Sequence, residues 1–219
     1  MDNQYDLAML FLRYQEYYES PKWRGKIFTI LDYMEWYSKD QCEWKHPKKK
    51  DETVQMFSYA VDWSGFNIPR RVFDELFPKI PDWNRYDAFM KTLYDMMVGQ
   101  EGKHSFYLIG TFAGGARGPV DGDEDILSHE IAHALYYTNP RYKEAVLKEL
   151  RRLAELKPGY LTKLENTIAK MGYNAYVLTD EAHAYLATGP GQEMKEWWDE
   201  EAAIPFQRLL KEAREECEK

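Results

Sequence analysis

Leu127-Ser128-His129-Glu130-Ile131-Ala132-His133-Ala134-Leu135 is the stretch from which the rest of this chain is best read. Ile126, Leu127, Ile131, Ala134 and Leu135 recur at helical spacing, so an amphipathic helix is expected through Tyr137, before Asn139-Pro140 breaks it. Four residues of α-helix turn the chain by about 400°, so His129 and His133 leave one face, one turn apart. Two imidazoles so placed can hold one tetrahedral zinc ion from one side, at about 2.0 to 2.1 Å. Glu130 sits beside the first imidazole, where its carboxylate reaches a water rather than the metal. Zinc lowers the pKa of such a water to about 7, and a neighbouring carboxylate can then act as general base. With five His and 22 Glu in 219 residues, this HExxH pattern arises by accident roughly once in a hundred such chains.

Upstream of the motif, Ser105 to Phe112 is the best strand in the sequence. A flexible stretch, Ala113 to Pro119, follows it. Asp121, Asp123, Glu124 and Asp125 then favour the start of the motif helix by complementing its dipole, a reading preferred here to metal binding. Downstream, basic amphipathic helices are expected at about 140 to 157 and 159 to 171, with Gly172 as a stop. Tyr173 to Leu178 reads as extended. Thr179-Asp180 reads as the N-cap of a helix over about 180 to 187, closed by Gly189-Pro190-Gly191. A last helix runs from about 192, kinked near Pro205.

The first 99 residues hold 21 of the 34 aromatics. Helices are expected over Tyr5 to Tyr18, Ile27 to Tyr37, about 70 to 77 and about 82 to 98. In the second, Ile27, Ile30, Leu31, Met34 and Tyr37 share a face. Asp62 to Pro69 is rich in turn residues and reads as an ordered loop. The aromatic stripes are read as core, each ring burying a large area. Residues 1–100 are therefore expected as an aromatic helical lobe and 101–219 as the lobe that carries the motif, together one compact unit.

Hydrophobic residues make up 44% and charged residues 30%, a globular balance that excludes a disordered tail or a low-complexity scaffold. Cys42 and Cys217 are too few for a disulfide framework. The apolar run Leu7–Leu12 follows Asp2 and Asp6 rather than a basic segment, and no 18-residue apolar stretch exists. A cytoplasmic protein with no membrane span is expected. The net charge of −8 disfavours nucleic acid as a partner. The basic run Lys45 to Glu52 is read as a solvated surface loop.

Residues 127–135 resemble the active-site helix of the zincin metallopeptidases. That resemblance implies a zinc-dependent hydrolase of α+β class, helix-rich, with a small sheet whose edge strand precedes the active-site helix and lies along extended peptide substrate. Ser105 to Phe112 is placed for that strand. Tyr136 and Asn139 stand where metzincins carry a glycine and a third histidine, so that branch is excluded. The Glu-Gly-Cys of deformylases is absent as well. A gluzincin-like arrangement remains, with the third ligand a glutamate on a downstream helix. Glu181 is the candidate, among Ala182, Ala184, Leu186 and Ala187, which allow close packing. His183 is the rival, about 200° round the same helix. Tyr185 occupies the place where gluzincins often carry an aspartate. Its hydroxyl is read as orienting a ligand or stabilising an oxyanion, with core packing as the alternative. Tyr136, Tyr137, Tyr173, Tyr176 and His104 are further oxyanion candidates.

The expectation is thus one Zn2+ per chain on His129, His133 and Glu181, with Glu130 as general base and a peptide or protein as substrate. Two other readings stand beside it: a binding module that holds zinc without turnover, and a zinc hydrolase acting on a non-peptide amide.

Overall fold

A computed structural model of the chain describes residues 3–41, 57–63, 65–101, 105–111 and 126–217. Helix α1 (Gln4–Glu19) starts where the Asn3 side chain accepts the Tyr5 N–H at 2.8 Å, and it ends at an extended Ser20 ahead of Pro21. Nearly every residue from Leu7 to Tyr17 is buried, so α1 is enclosed by its neighbours. Its one buried cation, Arg13, is fully engaged. Nε donates to Asp87 at 3.1 Å, Nη2 to Asp82 at 2.9 Å and Nη1 to the Phe28 carbonyl at 2.6 Å.

Helix α2 (Ile30–Trp36) opens on a capping box made by Thr29 and Asp32, and continues as a π-helical turn, Tyr37–Gln41. The face expected from sequence is buried only in part: Tyr37 is buried, but Leu31 is 76% exposed and Ile27 42%, while Tyr33, outside that face, is fully buried. The helix begins three residues later than expected, and the large aromatic rings take the interior. A short helix α3 (Tyr59–Asp62) precedes strand β1 (Gly65–Pro69). This strand corrects the expected loop at 62–69. Helix α4 (Arg70–Leu76), a 3-10 turn (Phe77–Lys79) and helix α5 (Arg85–Glu101) follow.

Strand β2 (Tyr107–Thr111) lies within the expected strand and pairs antiparallel with β1, Asn67 opposite Ile109 and Phe66 opposite Gly110. Side chains alternate across this ladder. Phe66 stacks on Phe11 of α1 with ring centroids 5.3 Å apart, and Gly110, on the same face, lies against Phe11 and Leu7. Gly65 and Asn67 point the other way, towards the motif helix, α6 (Ile126–Thr138). The sheet is therefore held between α1 and α6.

Helix α7 (Pro140–Leu156) is capped by Asn139, whose side chain accepts from the Arg141 and Tyr142 N–H groups, with Pro140 at the first helical position. Helix α8 (Tyr160–Lys170) follows a left-handed Gly159. The expected extended segment 173–178 is instead a series of turns, and helix α9 (Leu178–Thr188) starts two residues earlier than expected. Its N-cap is Val177, so Thr179 and Asp180 lie inside the first turn. A 3-10 segment, Gln192–Trp197, leads to helix α10 (Glu200–Cys217), which carries Pro205 within it. The fold is α+β: helix-rich, with a two-stranded antiparallel sheet as the sheet of the described residues.

Two apolar clusters form the interior. One runs from Leu7 to Met90 and is dominated by aromatics around α1; the other runs from Ala132 to Ala213 and is dominated by aliphatics around α9. Helix α6 gives Ala132 and Leu135 to the second while its Glu130 face meets the sheet. Among the described residues no helix is long and apolar enough to cross a membrane. The basic run 45–52, Cys42, His104, the segment 113–119 and the acids at 121 and 123–125 lie outside the described residues.

Candidate metal centre

His129 and His133 project from one face of α6 towards α9, as their spacing requires, with ring centroids 4.8 Å apart. Glu181 comes from the first turn of α9 to meet both. Its Oε2 lies 3.5 Å from His129 Nε2 and its Oε1 lies 3.5 Å from His133 Nε2. All three residues are buried, and their potential donor atoms fall within 4.8 Å of one another. They form a cradle able to hold a metal ion.

The far side of each imidazole is fixed by hydrogen bonds. His133 Nδ1 meets Asp180 Oδ1 at 2.9 Å. A carboxylate only accepts, so Nδ1 carries the proton and Nε2 faces Glu181. His129 Nδ1 lies 3.3 Å from Thr188 Oγ1, whose own proton goes to the Ala184 carbonyl at 2.8 Å. That hydroxyl must therefore accept from Nδ1, which again turns Nε2 inward. His133 Nε2 and Glu181 Oε2 are buried without a hydrogen-bond partner. Buried polar atoms are rarely left so, and a cation between them would satisfy both.

Glu130 leaves α6 on the neighbouring side and is buried against β1. Asn67 Nδ2 donates to its Oε2 at 2.6 Å, and the Tyr107 hydroxyl donates to Asn67 Oδ1 at 2.5 Å, which fixes the amide's orientation. Gly65 makes room for the carboxylate: a Cβ there would stand 3.1 Å from Glu130 Cδ and closer still to Oε1.

Charge is concentrated here. Burial disfavours an imidazolium at His133, but Asp180 and Glu181 override it, and its pKa is pushed up to about 9. Asp180, although buried, is held well below the usual carboxylate range by His133 and His183. Burial raises Glu130, with His133, His129 and Asn67 opposing and Glu181 adding to the rise. Glu19 of α1 faces the same centre. Burial raises it far above its ordinary value, and the carboxylates of Glu181, Glu130, Asp180 and Glu16 raise it further.

The residues singled out from sequence separate cleanly. His129, His133, Glu181 and Glu130 converge. Tyr185 is buried with its ring 4.8 Å from that of His129, so it packs beside one member of the cradle. His183 does not join the cradle. It is fully buried, stacks on Tyr136 at 4.7 Å, and sets Nδ1 3.2 Å from Asp180 Oδ1. Tyr136 is thus turned to His183, Tyr137 packs on Tyr107, Tyr173 on Trp63, and Tyr176 is 79% exposed.

Asn67, Asp180 and Glu19 were not singled out. The place of Asp180 carries a signal in retrospect. It is about 100° round the helix from Glu181, which lets one turn present a ligand to His133 and an orienting carboxylate to the ring's other nitrogen. Neither the protein-family models, nor the curated proteins, nor the solved structures compared with this chain match it.

Proposed function

We propose that the protein is a zinc-dependent hydrolase of peptide bonds, a gluzincin-like zincin in its arrangement of ligands and base. The observation that carries this reading is the convergence of both HExxH imidazoles on Glu181, beside a buried Glu130 anchored to the sheet. Two donors each about 2.0 to 2.1 Å from a tetrahedral zinc lie about 3.4 Å apart, and both His–Glu separations here are 3.5 Å. Two imidazoles and one carboxylate suit zinc and leave a fourth position open, the pattern of catalytic rather than structural sites. Bound there, zinc would supply Lewis acidity and make a water nucleophilic near neutral pH.

The protein's own groups supply the rest. Asn67 pins Oε2 of Glu130, so the carboxylate is held in one orientation as it takes the proton of the attacking water and returns it to the leaving amine. A carboxylate whose pKa is raised by burial is a stronger base than a solvated one, which suits it to take a proton from water near neutral pH. Asp180 and Thr188 hold the two imidazoles in the tautomer that offers Nε2. The ring of Tyr185 packs on His129 and keeps water from that side. Among the described residues β2 has a partner strand on one side only, β1. An extended peptide laid along its other edge would gain main-chain hydrogen bonds while presenting a carbonyl to the centre.

Glu130→Gln tests the reading. The variant should keep one zinc per chain and lose at least about a hundredfold in turnover of a mixed peptide library, the lower end of what general acid–base catalysis contributes. Equal turnover by both proteins, or no cleavage of any peptide by the zinc-loaded wild type, would remove the proposal.

A further inference from the structure

A cavity of about 330 Å³ opens between α1, the second half of α2 with the turn that follows it, and the turn after α8. Its walls are aromatic: Tyr33, Trp36, Tyr37 and Trp63 from the first half of the chain, and Tyr173 from the second. Trp63 and Tyr173 meet edge-to-face at 6.1 Å, so the two halves close the cavity together. Glu16 and Glu19, one helical turn apart on α1, supply its acidic end, and both are buried. Tyr33 also lines it, wholly buried, with its hydroxyl turned to Glu16.

This cavity adjoins the chemistry. Gln15, which also lines it, donates to Glu19 and accepts the Asn67 N–H at 3.4 Å, and Asn67 in turn holds Glu130. From Glu19 at the cavity's acidic end to Glu130 the connection runs through two residues, Gln15 and Asn67, the latter joined by its backbone N–H.

We propose that this cavity is a substrate subsite that takes a cationic side chain, lysine or arginine, of the peptide being cleaved. The inference rests on the peptide-hydrolase reading above. Aromatic faces attract an ammonium or guanidinium through their quadrupoles. One wall already does so: the Lys22 ammonium lies over the Trp36 ring, 4.4 Å from its centroid, at the solvent-exposed rim. The interior also calls for positive charge. Glu16, Glu19, Glu130, Asp180 and Glu181 bring five carboxyl groups into one region, with His133 and His183 lying against Asp180. Lys22 and Lys170 stand at the rim, exposed, where water and salt screen their effect on the interior. A cation entering between the aromatic walls meets Glu16 and Glu19, both buried, with little competition from solvent.

The test measures binding apart from turnover. Zinc-loaded full-length protein is titrated by calorimetry with Nα-acetyl-lysine amide and with its uncharged counterpart, Nα-acetyl-norleucine amide. The lysine probe should bind at least about tenfold more tightly, as expected for a desolvated charge-assisted contact. Glu19→Gln should erase most of that preference while leaving zinc content unchanged. Trp36→Leu, on the wall rather than at the acidic end, should weaken the lysine probe alone, and it decides the matter if the Glu19 variant does not fold. Equal binding of the two probes, no binding of either, or a preference that survives both variants overturns the proposal. A peptide library run in parallel keeps the two readings apart. Lysine-selective binding without any cleavage supports the subsite and refutes the hydrolase; cleavage indifferent to basic residues, with no probe selectivity, refutes the subsite and leaves the hydrolase standing.

Discussion

Replacing Gly65 by alanine should separate catalysis from metal binding. The added Cβ would stand 2.8 Å from Ile126 Cγ2 and 3.1 Å from Glu130 Cδ, and far inside contact with Oε1 of the same carboxylate. Gly65 is an ordinary strand residue, so alanine brings no backbone strain of its own; the effect is steric. The Glu130 carboxylate must retreat by on the order of 1 Å to regain van der Waals distance, and a misplacement of that size costs about a hundredfold in rate. Overpacking against Ile126 should also cost about 1 to 3 kcal/mol of stability. His129, His133 and Glu181 do not touch Gly65, so zinc should remain near one per chain. The assay is zinc content by mass spectrometry beside peptide turnover, with Gly110→Ala as control. There the Cβ would clash with Phe11 and Leu7 on the opposite face of the sheet, so stability should fall while the surviving folded protein keeps its turnover per zinc. A Gly65→Ala protein with wild-type turnover, or one that loses its zinc, would refute the placement of Glu130.

Three ligand-shell substitutions should rank in order. Glu181→Ala should weaken zinc most, Asp180→Ala by about 10- to 100-fold because His133 loses the partner of its Nδ1, and His183→Ala least, since it acts on zinc only through Asp180; chelator competition reads all three, and an unaltered Asp180 variant would count against the orienting role. In the metal-free protein the folded His133 has a pKa near 9, above an unfolded value of about 6.5. A raised folded pKa stabilises the fold fully below the unfolded value and is lost as pH rises through the folded one. Melting temperature of chelator-treated protein should therefore fall between about pH 6.5 and 9.5, and His133→Gln should flatten that slope; identical slopes in the two proteins would exclude the pair as its source.

The parts of this site that were legible in sequence are those whose chemistry is local. HExxH needs only helical spacing, and α6 supplies it. Glu181 was singled out because the resemblance implied a glutamate on a downstream helix, with His183 as rival, and of the two it is Glu181 that meets both imidazoles. The strand that anchors the base was misread because Gly65, Asn67 and Pro69 are turn formers. What makes 65–69 a strand is pairing with residues 107–111, a non-local gain that local propensity does not contain. Its alternation was present all the same, Phe66 and Ile68 towards α1, Asn67 towards Glu130. Asp180 was read as a cap because Thr-Asp before an apolar run usually is one. The helix began earlier, and the carboxylate so released went to His133. The exposed Leu31 shows the same limit: the periodicity of this helix put Leu31 on its buried face, and packing against the aromatic cluster buried Tyr33 instead.

The division of labour between the two halves of the chain has a consequence for biosynthesis. β1, which anchors Glu130, lies at residues 65–69, and Glu181, the last member of the cradle, comes 51 residues after Glu130. At translation speeds of about 5 to 20 residues per second, about 3 to 10 seconds separate the emergence of the base from that of the completed cradle. During that interval a nascent chain can build its aromatic lobe and seat Glu130 on Asn67, yet it lacks one of the three groups needed to hold the metal. Products released by premature termination between residues 134 and 180 keep both imidazoles and Glu130 but lack Glu181, and so carry only two of the three groups that could hold a metal ion.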